Sequence, residues 1–198
     1  MTESEVSDDT EAAIVEAAYR ALCANGYADT TISAIAAEFE KSKSLLYYHY
    51  DDKEALLEDF LRFMLDRLES DLTATADGDP EERLWAVLDR LLPPELDEEG
   101  MRFRRALLEI RANAPHSETF HERFSRSDEV ILGLLADALR AGTETGVFRP
   151  VDPEETAEFL YATAYGGLER AVTLDDPETV ARTRRAIRRY LDDCVRET

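Results

Sequence analysis

The chain has 198 residues, 44 acidic against 23 lysine or arginine, for a formal charge of −21. No apolar run of eighteen residues and no charged-then-apolar leader occurs, so we expect a soluble cytoplasmic protein and no membrane partner. Cys23 and Cys194 lie at opposite ends without motif spacing, which argues against a disulfide and for two buried or half-buried free thiols.

Met1 to Ser7 is polar and acidic and reads as a mobile arm. A helix is predicted from Asp8, where Asp8 and Glu11 are spaced as a capping box. Ile14, Ala17, Ala18, Ala21 and Leu22 form its apolar face, and Gly26 ends it. From Thr31 to Tyr50 the pattern is a short helix with Ile32, Ile35, Ala36 and Phe39 at helical spacing, a break at Glu40-Lys41, and a second helix opened by Ser42. Two short helices about a tight turn are the shape of a helix-turn-helix, whose second helix fits a DNA major groove.

Thr31 and Ser42 are each placed to cap a helix with a hydroxyl. Leu46 and Tyr50, four apart, should face inward. Lys43, Ser44, Leu45, Tyr47, Tyr48 and His49 then cover the other faces with groups that hydrogen-bond, stack on sugars or touch a thymine methyl. The only lysines are Lys41, Lys43 and Lys53, compact cations kept where phosphates would lie. Asp51-Asp52 should break this helix and cap the next, setting Lys53 near a helix start where it can meet a phosphate. The candidate DNA-binding residues are thus Thr31, Lys41, Ser42, Lys43, Ser44, Leu45, Tyr47, Tyr48, His49 and Lys53.

These residues carry a family resemblance. From Ala12 to about Leu57 the chain resembles the DNA-binding domain of TetR-family transcriptional repressors. The shared features are an Ala-rich first helix ending in Asn25-Gly26-Tyr27, a Thr-Ile-x-x-Ile-Ala core, and Leu46, Tyr47, His49, Tyr50, Lys53 and Leu56 in the tail of the pattern. The resemblance implies an all-α homodimeric regulator with a variable ligand-sensing domain, and it puts His49 on the DNA face. Two departures stand out. Where the family has Ala-Gly-Val at the turn this chain has Phe39, Glu40 and Lys41, so either Glu40 takes a positive φ or the turn differs. Where the family often has Gly-Thr after the lysine this chain has Ser44-Leu45, which exchanges a hydrogen bond for apolar contact.

The net charge looks wrong for DNA. Acidity, arginine in place of lysine and few large aliphatic residues are, however, the composition expected of a protein adapted to molar salt, as in extreme halophiles. There the Debye length is about 3 Å, so repulsion from DNA is screened. Phosphate contacts weaken for the same reason. The run from Lys41 to Tyr50 carries no acid, and Leu45, Tyr47 and Tyr48 suit reliance on base edges and apolar contact.

Further along, Lys53 to Thr73 reads as a helix with Leu56, Leu57, Phe60, Phe63, Met64 and Leu68 on more than one face, a mechanical link between domains. Thr75 to Pro80 is a polar break, and Pro80 opens a helix with Leu84, Trp85, Leu88, Leu91 and Leu92 that Pro93-Pro94 stops. A loop from Glu95 to Gly100 precedes a helix with Phe103, Leu107, Leu108 and Ile110, interrupted at Pro115. A long helix follows from Ser117 to about Ala141, closed by Gly142. The turn at Gly146 to Pro150 leads to Asp152-Pro153, a cap and a favoured first position. This half resembles the ligand domain of the BetI-like branch.

Glu154 to Ala171 carries Gly166-Gly167, where close helix approach would offset the cost of mid-helix glycine. Pro177 starts a last helix with Val180, Ile187, Leu191 and Cys194 on one face; with its predecessor it is expected to make a four-helix dimer interface. Its cluster Arg182, Arg184, Arg185, Arg188 and Arg189 is expected either to pair with acids across the dimer or to lie on a solvated face.

The expected fold is all-α, about nine helices, with a three-helix DNA-binding domain at 8–53 (helix-turn-helix 31–50) and a helical ligand-sensing and dimerisation domain at 54–198. The expected function is a ligand-responsive repressor acting as a homodimer on a pseudo-palindromic DNA operator, with no cofactor. An apolar or amphipathic effector would enter among Phe60, Phe63, Met64, Trp85, Phe103, Leu107, Phe124 and Tyr165, residues that read equally as plain core. No catalytic constellation is present, so no enzyme is expected. The alternative is an all-helical small-molecule-binding or metal-binding protein or enzyme without a DNA role, using His116, Glu118 and His121.

Overall fold

A computed structural model describes residues 3–41, 43–73 and 78–197. Among these residues there are nine α-helices: α1 (Glu3–Asp29), α2 (Ile32–Glu38), α3 (Lys43–His49), α4 (Lys53–Thr73), α5 (Pro80–Leu91), α6 (Glu98–Ala112), α7 (Glu118–Thr145), α8 (Pro153–Thr173) and α9 (Glu178–Tyr190). A 3₁₀ turn at Ala114–His116 and a π turn at Leu191–Val195 complete the order. The all-α expectation holds. No helix among the described residues is long and apolar enough to cross a membrane.

Local chemistry explains most helix starts. Thr31 accepts a hydrogen bond from the Ala34 N–H (3.1 Å), Asp52 from Ala55 (2.9 Å), Asp79 from Glu81 (2.9 Å) and Asp152 from Glu155 (2.9 Å), each satisfying a donor that has no partner inside its helix. Pro80 and Pro153 occupy first-turn positions, where the missing N–H costs nothing. The expected cap at Ser42 and most of the break before Gly78 lie outside the described residues.

Four boundary expectations are corrected. The first helix already runs from Glu3, so Glu3 to Ser7 is not an arm and Asp8 stands inside the helix rather than at its start. The loop before α6 ends at Asp97. Gly142 does not close α7. A Cβ there would lie 2.1 Å from the Phe148 ring, so this glycine serves close packing. The helix runs on to Thr145 and turns at Gly146 (φ 76), where the Val147 N–H bonds back to the Gly142 carbonyl at 2.9 Å. Finally, the π turn shifts the last turn's register, so Val195 is buried and Cys194 is exposed while Cys23 is half-buried.

The chain forms two compact units. The first is Met1–Arg67 with Glu98–Phe124, and so extends beyond the 8–53 stretch because α6 packs along α1. Small Ala17, Ala18 and Ala21 on α1 permit that approach, and the shared core adds Leu22, Ile35, Ala36, Leu46, Leu56, Leu57, Phe60, Phe103, Ala106 and Ile110. Each large aliphatic residue so buried contributes about 1.5–3 kcal/mol. The second unit is Leu68–Asp97 with Ser125–Thr198. In it α8 and α9 pack closely at Gly167, where a Cβ would lie 2.5 Å from Thr183 Oγ1; at Gly166 nothing lies within 4 Å.

Candidate nucleic-acid interface

Short α3 makes few backbone bonds of its own, so its aim depends on what its inward residues grip. Leu46 is fully buried in the first unit's core. Tyr50 ends the helix, its N–H bonding the Leu46 carbonyl (3.0 Å) and its hydroxyl donating to Asp59 Oδ2 (3.0 Å) on α4. Burial, then the bond and charge of Asp59, push the Tyr50 phenol pKa upward, so the hydroxyl stays a donor at any physiological pH. Arg62 binds Asp59 and Asp66 on its own helix and Glu11 on α1, tying the grip to the N-terminal helix. Replacing Leu46 by alanine would cost about 2–5 kcal/mol and release the helix from its seat.

The opposite faces of α3 are open. Tyr47 is 48% exposed and Tyr48 83%, while Lys43, Ser44 and His49 are exposed beside them. Tyr48 and His49 meet edge to face with ring centres 5.4 Å apart. Leu45 is half-buried and packs on the core, leaving part of its side chain outside. At the turn, Glu40 and Lys41 are exposed bends, and the only positive φ on a non-glycine among the described residues is at Asp175. The turn is therefore made differently from one built on a left-handed residue at Glu40: Phe39 leaves α2 in an extended conformation (φ −81, ψ 116) and buries its ring.

Three cations are engaged within the fold. Lys41 Nζ donates to Thr10 Oγ1 of α1 (3.3 Å). Lys53 Nζ donates to the Tyr27 carbonyl (3.2 Å) and sits over that ring, 4.4 Å from its centre. Arg20, which no sequence signal singled out, donates to the Glu38 carbonyl at the end of α2 (2.7 Å) and pairs with Glu16 and Glu38. Its role depends on a contact eighteen residues away, which no local pattern reveals.

The eight candidate effector residues do not form one cluster. Phe60 and Phe103 are buried in the first unit's core, with Phe63, Met64, Leu107 and Phe124 half-buried against it. Trp85 and Tyr165 belong to the second unit. There Trp85 lies under the guanidinium groups of Arg184 (5.5 Å) and Arg188 (4.5 Å), and Tyr165 lies 5.9 Å from the Tyr161 ring. Arg184 also pairs with Asp89 (2.7 Å) and donates to the Leu92 carbonyl, and Arg182 pairs with Asp176 and Glu178, so three of the five α9 arginines find partners within the protomer. Arg185 and Arg189 are exposed. Among the described residues no group of three His, Cys, Asp or Glu side chains is placed to hold a metal, so His116, Glu118 and His121 do not assemble one.

A buried-core helical unit presenting a short helix with exposed tyrosines, histidine and lysine is that of a helix-turn-helix regulator. Comparison with known proteins agrees. The bacterial regulatory proteins of the tetR family match over residues 14–60, and the C-terminal domain of the BetI-type transcriptional repressor matches over residues 80–196. A TetR transcription regulator from Haloarcula marismortui ATCC 43049 is 38% identical over 96% of this chain and 100% of its own, with a TM-score of 0.86. A transcriptional regulator from Saccharomonospora viridis, solved in complex with choline, is 23% identical over 96% of this chain and 100% of its own (TM-score 0.82). SmeT, solved in complex with triclosan, is 22% identical over 90% and 91% (TM-score 0.68). Among curated proteins none matches. The chain belongs to the TetR family of transcriptional regulators, with a C-terminal half of BetI type.

Proposed function

We propose that two protomers pair through α8 and α9, present their α3 helices to successive major grooves of a pseudo-palindromic operator, and repress transcription in the cytoplasm until a small effector binds. The observation that carries this reading is the surface of α3: Lys43, Ser44, Tyr47, Tyr48 and His49 are exposed together on a run from Lys41 to Tyr50 that contains no acid. Hydroxyls and imidazole reach base edges, tyrosine rings stack on sugars, and Lys43 meets a phosphate. Pairing is supported by α8 and α9 leaving apolar surface outside: Phe159 is 47% exposed and stacked on Tyr190 at 4.6 Å, and Leu174 at the end of α8 is 67% exposed.

The functional division places DNA reading in 8–53 and sensing and pairing in 54–198. Choline and triclosan in two relatives support a small organic effector, apolar or amphipathic, for this chain as well. Such a molecule releases DNA only through different affinities for the two states of the dimer. The acidic composition supports operation in molar salt, where the reading leans on base edges and apolar contact more than on phosphates.

The test is binding of the wild type and a Tyr47→Ala, Lys43→Ala double variant to DNA from the protein's own upstream region in molar potassium chloride. With about 1–3 kcal/mol for each base-reading group, we expect a loss of about a hundredfold at unchanged helix content. Wild-type affinity in the variant would overturn the assignment of α3. Trp85 fluorescence and operator affinity, followed across a panel of amphipathic compounds, test the sensor half.

A further inference from the structure

Tyr27 stands at the corner where the chain leaves α1, and it is held from two directions. Gly26 (φ 70, ψ 177) turns the backbone out of the helix, which leaves the Tyr27 N–H without a partner in α1. The Glu109 carboxylate of α6 accepts that N–H at 2.8 Å. The same carboxylate lies 3.3 Å from where a Cβ on Gly26 would stand, so the approach relies on bare backbone there. On the other side, the Tyr27 carbonyl and ring hold the Lys53 ammonium at the start of α4. A line of contacts thus runs from α6 through Tyr27 to Lys53, all within the first compact unit. Glu109 lies in the stretch that matches the BetI-type domain, and Tyr27 and Lys53 in the stretch that matches the DNA-binding family.

We propose that Glu109 is a positioning residue for DNA binding, fixing Tyr27 so that the Lys53 ammonium is held in place for an operator phosphate. The inference rests on the reading of Lys53 as a phosphate contact. A lysine head on a flexible four-carbon stem must be ordered before it binds, and holding it beforehand lowers that cost. The ammonium has three donors; one is given to Tyr27 and two remain for phosphate oxygens. At molar salt attraction decays within about 3 Å, so a cation that is not already in position gains little from the field of the DNA. A carboxylate on α6 that sets the corner therefore sets how many phosphates the head can engage.

The test uses the full-length dimer and its operator over a potassium chloride series, with wild type, Glu109→Ala, Glu109→Gln, Lys53→Met and the Glu109→Ala, Lys53→Met double variant. Losing a phosphate contact lowers the slope of log affinity against log salt by about 0.9. Glu109→Ala is expected to bind about tenfold more weakly with a slope reduced by about one per protomer. Glu109→Gln, which keeps an acceptor oxygen, should behave as wild type, and the double variant should match Lys53→Met. Glu109→Asp, one methylene short of the amide, replaces alanine should that variant fail to fold, with the same expectation. A Glu109→Ala slope equal to wild type while the Lys53→Met slope falls overturns the proposal alone, as does full additivity in the double variant. An unchanged slope in Lys53→Met overturns the phosphate reading of Lys53 and the proposal with it.

Discussion

Helices α3 and α9 are both rich in cations and aromatic neighbours, yet they use them in opposite ways. On α3, Lys43 has no partner among the described residues and Tyr47 and Tyr48 stand in the open. On α9, Arg182 and Arg184 are tied to acids, and Arg184 and Arg188 cover Trp85. A run of positive charge therefore says nothing about nucleic acid until its neighbours are known. Cations left with their donors free beside exposed rings are available to a ligand; cations whose donors are satisfied within the fold hold helices together.

Equal charge changes in the two places should separate these roles. Lys43→Glu introduces an acid into the acid-free run, and the operator affinity of the dimer is expected to fall about a hundredfold as two phosphate contacts become repulsions. Arg185→Glu with Arg189→Glu, a larger charge change on the exposed side of α9, should leave DNA affinity within about twofold in the same titration; a comparable loss would show that α9 also faces DNA.

Stability should show the reverse order. Arg184 is the most enclosed of the paired arginines, its side chain 16% exposed, and Arg184→Ala removes bonds to Asp89 and to the end of α5. The cost is expected to be about 2 kcal/mol, read as a melting point lower by about 4–8 °C and a change in Trp85 emission. Lys43→Ala should alter stability by no more than about 0.5 kcal/mol, as for an open surface position.

The smallest effects lie in the glycine pair of α8. Gly167→Ala pushes a methyl against Thr183 and is expected to destabilise by about 1–3 kcal/mol less the gain in helix propensity. Gly166→Ala meets nothing within 4 Å and should stabilise by up to about 1 kcal/mol. Equal effects on thermal unfolding would mean that α8 and α9 do not approach at Gly167 as the structure has them.

The sequence by itself determined the all-helical class, the start of every helix opened by a nearby Thr, Asp or Pro, and the short pair of helices around residue 40, because caps and apolar periodicity act within a few residues. It also determined the exposed character of Lys43, Tyr47, Tyr48 and His49, since Leu46 and Tyr50 can face inward only if their neighbours do not. The tertiary structure alone decided that Gly142 serves the Phe148 ring instead of ending a helix, and that the first helix continues back to Glu3. It alone decided that α9 arginines find partners on α5, and that Lys53 is bound to Tyr27, whose N–H is bound to Glu109. These depend on partners far along the chain, and a local pattern has no term for a residue brought near only by packing.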